Sequence, residues 1–391
     1  MFFTKVKALL ACSILAVIFA SPAECGAPER ARLVFIGDIM AHAEQLEAAR
    51  VCGSWDFKPQ FRRVKPLFWD AFVVGNLETV FAGEERKFTG YPMFNTPDEL
   101  APALSDLGLG LATLATNHIF DRKSAGAART AEVLEDHGIA WTGLSVGEAA
   151  SDEPKVVEYA GFRFAFINYA YGSNTPLPTS SDAKAARLNV ISADAIKEVL
   201  SRARAVSPDI VVACYHWGNE YQFAPTKRQR DIAELSVREG ADLVIGTHPH
   251  VLQPMEIVSS DRGYGLVAYS LGNFVSYQRT LPRERSAVLA VDIERADGGG
   301  ARISCVSVAP TRVSNRKLSG RRRVEVVYAG KGGRFNHAGL PTDELNDARR
   351  AGVAVLEFLG AGDMPDEDGF YILWSSDAPD VMPSGKRKSP Q

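Results

Sequence analysis

Short apolar runs recur along most of the chain, separated by amphipathic or polar stretches. They occupy residues 33–36, 71–74, 109–114, 162–167, 210–215, 243–245 and 266–269, each bounded by Gly or a polar residue. Runs this short and unbroken suit strands covered on both faces, because a half-exposed strand would alternate apolar with polar positions. The intervening stretches predict helices. One covers 97–106, with Thr96 as N-cap and Pro97 at the first helical position. Others cover 122–137, stopped by Gly138, then 192–206, then 227–239, stopped by Gly240. Strand and helix in alternation predict an α/β layered domain.

The pattern changes after Ser286. Residues 287–294 and 302–309 predict a hairpin across Asp297-Gly298-Gly299-Gly300, and 324–328 predict a third strand. A helix over 343–358 and an apolar segment over 371–374 read as an appendage, and 383–391 as a disordered tail. This divides the chain into a main domain, 30–290, strands that complete it, 291–330, and the appendage with its tail, 331–391.

The N-terminus has a different character. Lys5 and Lys7 precede a mostly apolar run over 8–20, followed by Ser21-Pro22-Ala23. The run is short of the roughly 20 residues a spanning helix takes. Basic start, apolar run and small-residue site together predict a secretory signal peptide over 1–23, with an uncleaved anchor as the other reading. The chain is therefore expected to be exported, periplasmic or extracellular, or held to a membrane only by this segment. In an oxidising compartment Cys25 and Cys52 form a candidate pair, while Cys214, in an apolar run, suits a buried thiol.

Composition narrows the function classes. With 46% hydrophobic residues and a net charge of −3, the chain is neither disordered nor a general nucleic-acid binder. The chemistry lies in where polar residues fall. Six strands run directly into polar signatures: Gly37-Asp38, Gly75-Asn76-Leu77-Glu78, Thr116-Asn117-His118, His216-Trp217-Gly218-Asn219-Glu220, Gly246-Thr247-His248-Pro249-His250 and Ser270-Leu271-Gly272-Asn273-Phe274. In layered α/β proteins the carboxyl ends of the strands are where ligands bind. Taken singly, each signature also reads as a turn, a helix cap or a buried histidine. Together they converge imidazoles, carboxylates and an amide on one edge. That donor set suits a divalent transition metal, Mn, Zn or Fe, in one or two ions. His248 and His250, two apart, would share a face in an extended segment. His137 reads as a surface residue of its helix, and His42 stays undecided.

These signatures, in this order and over 32–275, resemble the CapA family, also called PGA_cap, of poly-γ-glutamate capsule synthesis. That family is similar in fold to the calcineurin-like metallophosphoesterases. The resemblance implies a four-layer metallophosphoesterase-like β-sandwich flanked by helices, with a short C-terminal extension. It implies Asp38 as a ligand of a first metal and Glu78 as the bridging carboxylate. Asn117, His216 and His248 would hold a second metal, with His250 returning to the first. His118, held by Asp121, would protonate a leaving group, and Asn76 and Asn273 would orient substrate. The implied substrate is a phosphoester or an acidic polymer, with a membrane synthesis complex as partner. The other reading is a non-catalytic, polymer-binding subunit of such a complex, for which Arg279, Arg283, Arg285 and Arg321 to Arg323 are candidate grips. Two departures stand out: Met40 occupies the place of a usual ligand histidine, and Glu78 replaces the usual bridging Asp.

Overall fold

A computed structural model describes residues 30–147, 153–178, 186–296, 298–332, 335 and 337–376. The signal segment, Cys25, Asp297 and the C-terminal tail lie outside the described residues.

Two mixed sheets carry the fold. The first runs in the order Arg321–Tyr328, Ala301–Leu318, Arg285–Arg295, Arg30–Ile39, Phe72–Leu77, Leu109–Thr113 and Ala140–Thr142. Its last four strands are parallel, and the three before them pair antiparallel. The short strand Asn273–Val275 pairs in parallel with the end of Arg30–Ile39, joining Asp38 to Asn273 in register. The second sheet runs Met255–Ser260, Gly263–Ala268, Leu243–Thr247, Ile210–His216, Phe162–Ala170 and Lys155–Tyr159, with a parallel centre and antiparallel edges.

Period-two alternation explains the unbroken apolar runs. In the second sheet Phe164, Phe166, Val212, Cys214, Leu243, Ile245, Leu266 and Ala268 join the core shared with the first sheet. Their neighbours Ala165, Ile167, Val211, Ala213, Tyr215, Val244 and Val267 pack under the helices Ala193–Ala205 and Lys227–Arg238. Both faces of each strand are buried, so neither parity tolerates a polar residue until the strand ends. Phe72 of the first sheet meets Phe166 of the second with ring centroids 6.1 Å apart. The result is an α/β fold of two mixed sheets flanked by helices. Among the described residues, no helix is long and apolar enough to cross a membrane.

Most predicted helices form, capped as their sequences dictate. The Ser192 hydroxyl accepts from Ala195 N at 3.2 Å, and Thr226 forms a reciprocal capping box with Gln229. One helix starts late: it spans Leu100–Leu107, not 97–106. Thr96 is unavailable as a cap, because its hydroxyl pairs with Thr79 Oγ1 at 2.6 Å and its N–H donates to Val80 O. Pro97 and Asp98 instead form a turn that leads into the helix. The hairpin after Ser286 is longer than its apolar pattern, with strands Arg285–Arg295 and Ala301–Leu318. The segment Tyr371–Ser375 pairs antiparallel with Ala301–Leu318, and the helix Thr342–Leu359 packs against that same strand.

Candidate metal centre

Every strand that the sequence marks with a polar end delivers that end to one place. Asp38 ends Arg30–Ile39, Asn76 and Glu78 end Phe72–Leu77, and Asn117 and His118 follow Leu109–Thr113. These come from the first sheet. His216 closes Ile210–His216, and His248 and His250 follow Leu243–Thr247, from the second. The carboxyl ends of two parallel-centred sheets therefore meet, and the residues projecting there are buried: Asp38, Glu78 and His216 are 0% exposed. Gly37 is required for this junction. A Cβ built on it would lie 1.9 Å from Gly272 O, so only glycine lets Asp38 N bond that carbonyl at 3.0 Å.

Two sets of donors share one carboxylate. Glu78, His248 and His250 can place one ligand atom each within 4.8 Å of one another, and so can Asp38, Glu78 and His216. Glu78 Oε1 stands 3.7 Å from His216 Nε2 and 3.8 Å from His250 Nε2. Both Glu78 oxygens are buried with no hydrogen-bond partner, as is His248 Nδ1. A buried unpaired carboxylate costs several kilocalories per mole if ionised, and proteins keep such groups for a proton or a cation. Five donors of carboxylate and imidazole type, three of their atoms unsatisfied, fit a divalent ion at either set and Glu78 between them.

The remaining polar atoms hold these donors in place. Asp38 accepts from Asn76 Nδ2 at 2.9 Å and faces His250 Nδ1 at 3.0 Å. His216 Nε2 meets Asn117 Oδ1 at 2.8 Å, and its Nδ1 meets Thr247 Oγ1 at 3.1 Å. Asn76 and Asn273, expected to orient substrate, both spend their amides inside the site. Asn76 bonds Asp38 and accepts from Thr113, while Asn273 Oδ1 faces His250 Nδ1 at 3.0 Å. Asn117, expected as a ligand, has its carbonyl oxygen on His216.

His248 and His250 reach the site by a different route from the extended segment predicted for them. The strand stops at Thr247, and the two residues take φ of 95° and 56°. Such backbone costs about 1–3 kcal/mol per residue and concentrates at functional sites. Tyr221 N, donating to Pro249 O at 2.7 Å, braces the turn. The two imidazole centroids end 5.7 Å apart.

A dyad flanks the donors. His118 Nδ1 lies 2.8 Å from Asp121 Oδ2, which also accepts Phe94 N at 2.7 Å. A carboxylate can only accept there, so the imidazole carries its proton on Nδ1 and turns Nε2 outward, toward Asn174 Nδ2 at 3.3 Å. Phe94 packs edge-on against the ring at 4.8 Å. Met40 is buried, and His42 does not replace it: its backbone N–H is capped by Gln45 Oε1, and its Nδ1 accepts from Tyr277 N.

Sequence reasoning missed three participants, Tyr171, Asn174 and Tyr221. Tyr171 lies over His248 at 4.7 Å, and Asn174 faces His118. Both follow Phe162–Ala170, and the strand-end rule applied to that strand would have found them. Tyr221 sits 6.0 Å from His250, with the Arg283 guanidinium 3.4 Å above its own ring. Neither spacing nor periodicity marks Tyr221 or its contact with Arg283, because the pair joins distant loops.

The charges are set by burial and by one another. Burial pushes His216 well below the usual imidazole range and His248 down to about 3, so both are neutral and able to ligate. Burial likewise holds the Glu78 pKa well above a normal carboxylate. Burial alone would lower His250, but Glu78 and Asp38 outweigh it and raise its pKa to about 9. Glu78 and His250 titrate as a coupled pair, and the metal-free pair retains protons to higher pH than exposed groups would. Binding a cation must displace a proton from that pair, so affinity rises with pH. Calorimetry of Mn²⁺ uptake in two buffers of different ionisation enthalpy should report net proton release at pH 7. Uptake with no released proton would contradict this charge assignment.

Residues 32–278 match the family described as bacterial capsule synthesis protein PGA_cap. The chain is 27% identical over 318 residues to the capsule biosynthesis protein CapA of Bacillus anthracis, covering 76% of this chain and 73% of that one. It is 27% identical over 290 residues to the PGA biosynthesis protein CapA of Bacillus subtilis, covering 70% of each. Among solved structures, a calcineurin-like phosphoesterase from Bacillus subtilis aligns at 13% identity and TM-score 0.39, over 84% of this chain and 99% of that one. A putative 5'-nucleotidase from Staphylococcus aureus aligns at 11% identity and TM-score 0.44, over 82% of this chain and 58% of that one. With the family match spanning more than half of the chain and every donor of the site, the chain belongs to the PGA_cap family of bacterial capsule synthesis proteins.

Proposed function

We propose that this chain is an exported, metal-dependent hydrolase that acts on a phosphoester or an acidic polymer during capsule polymer synthesis or processing. The observation that carries the reading is the Glu78 carboxylate, shared by two donor sets and bonded to nothing else. Asp38, Glu78, His216, His248 and His250 would hold one or two divalent ions. Those ions would supply Lewis acidity at the bond to be cleaved and neutralise charge that develops there. His118 delivers a proton to the leaving group from Nε2, with Asp121 fixing the ring and stabilising its charged form. Asn76 and Asn273 hold Asp38 and His250 rigid, so the donors do not reorganise during reaction. The names of the Bacillus relatives support a capsule polymer, poly-γ-glutamate in this family, as the wider context. The export reading rests on residues 1–23 and is tested by the N-terminal mass of the secreted chain.

Met40, in the place of a ligand histidine, favours a second reading, in which the centre grips polymer carboxylates without turnover. Elemental analysis and a phosphodiester or poly-glutamate hydrolysis assay separate the two. The hydrolase reading expects bound metal and turnover that both fall in Asp38→Asn and His216→Ala. Bound metal with no turnover on either substrate favours the gripping subunit, and absence of metal sinks both.

A further inference from the structure

On the outer strands of the first sheet, away from the metal donors, cations oppose one another. Lys317 of Ala301–Leu318 is the register partner of Arg322 of Arg321–Tyr328, and Arg316 is the partner of Arg323. Like charges directly opposite on paired strands destabilise a sheet. Carboxylates of the fold offset part of that repulsion, Glu325 on Arg316 at 2.6 Å and Glu47 on Arg322 at 2.9 Å, and among the described residues leave Lys317 uncompensated. Lys317, Arg322 and Asn315 share one face by strand parity, and with Tyr277, Arg279 and Arg316 they line a hollow of about 350 Å³ that has no carboxylate in its walls. Tyr277 is clasped by two guanidinium groups, Arg279 at 5.8 Å and Arg322 at 5.2 Å from its ring centre. Arg322 also donates to Tyr277 Oη at 2.6 Å and pairs with Glu47 at 2.9 Å. Among the described residues, Arg279 and Lys317 have no ion-pair partner.

The hollow is tied to the metal centre through one segment. Asn273, which faces His250, donates to Gln278 Oε1 at 3.2 Å and to Arg283 O at 3.0 Å. Tyr277 N bonds His42 Nδ1 at 3.3 Å. The stretch that brings Tyr277 and Arg279 to the hollow is thus the same one that braces His250.

We propose that this hollow is a binding subsite for consecutive carboxylates of a linear acidic chain, gripped by Arg279, Lys317 and Arg322. The proposal rests on the polymer half of the reading above, and it holds whether or not the metal centre turns that polymer over. It reconciles a chain of net charge −3 with an acidic ligand, because the required positive potential is local to two strands and one loop.

The test uses the full mature chain and fluorescently labelled poly-γ-glutamate. The double variant Arg279→Ala/Lys317→Ala should bind the polymer about tenfold more weakly at low salt, from two lost exposed contacts, with the gap closing at high salt. Metal content and turnover of a small phosphodiester should stay at wild-type levels. The melting temperature should hold or rise, since a like-charge pair is relieved. Equal polymer affinity in wild type and variant overturns the subsite, as does a wild type that binds no polymer. Equally effective competition by polyphosphate of matched charge overturns the carboxylate assignment. Failure of the hydrolase reading would show separately, as missing metal or missing phosphodiester turnover in the wild type.

Discussion

Replacing Glu78 with glutamine should uncouple the fold from its metal. The side chain is 0% exposed, and both oxygens lack hydrogen-bond partners, so its charge must be offset by a cation or removed by a proton. Because burial raises its pKa well above the normal range, the metal-free wild type holds the Glu78 proton to higher pH than an exposed glutamate does. Glutamine matches the protonated acid in shape and charge, so where Glu78 holds its proton Glu78→Gln should change metal-free stability by less than about 1 kcal/mol. The sign reverses at higher pH. A raised folded-state pKa means the folded chain holds the proton more tightly, so wild-type stability falls as pH climbs through that pKa. The variant cannot ionise there and should melt higher than metal-free wild type. Added Mn²⁺ gives the opposite ranking. At a hundredfold excess over Kd, a site specific to the folded state contributes about 2.7 kcal/mol. Wild type should gain stability of that order, and Glu78→Gln should lose most of it, since the missing carboxylate belongs to both donor sets. Scanning calorimetry with and without metal reads both effects. Equal stabilisation of the variant by Mn²⁺ would remove Glu78 from the centre.

Much of this site was legible because strand ends leave a mark. A strand buried on both faces admits no polar residue until it leaves the core, so Asp38, Glu78, His216 and His248 announce the ends of their strands in one dimension. The same logic placed the helix Ala193–Ala205 behind Ser192, whose hydroxyl had no competing partner. It misplaced the helix after Thr96, because the competing partner, Thr79, lies in another loop and no local pattern shows it.

What the sequence did not show depends on contacts between distant segments. The amides of Asn76 and Asn273 meet Asp38 and His250, contacts between segments far apart in the chain. The shared face of His248 and His250 was expected from strand alternation and is reached instead through a positive-φ turn. The cation ladder on Lys317 and Arg322 needed the register of a hairpin whose strands extend well beyond their apolar cores.

His118 should separate catalysis from metal binding. Its ring lies beside the donors, fixed by Asp121 at 2.8 Å and walled by Phe94 at 4.8 Å. His118→Asn should retain metal and melting temperature while phosphodiester turnover drops by about 10²–10⁴, the usual contribution of a positioned general acid. The loss should shrink for substrates whose leaving group departs without a proton, such as a nitrophenolate, because little remains for the acid to supply. Asp121→Asn should be milder, about 10–100-fold, since it disturbs the orientation of the ring rather than removing it. Its amide can also donate to Nδ1, which would turn the ring proton to Nε2 in the neutral form. A purely structural role for the dyad predicts something else: parallel losses of metal, stability and turnover, with no dependence on the leaving group. Undiminished turnover of an alkyl phosphodiester by His118→Asn would end the general-acid assignment. Metal retained with turnover lost would fix the proton donor at Nε2, on the side of the ring that the Asp121 carboxylate leaves free.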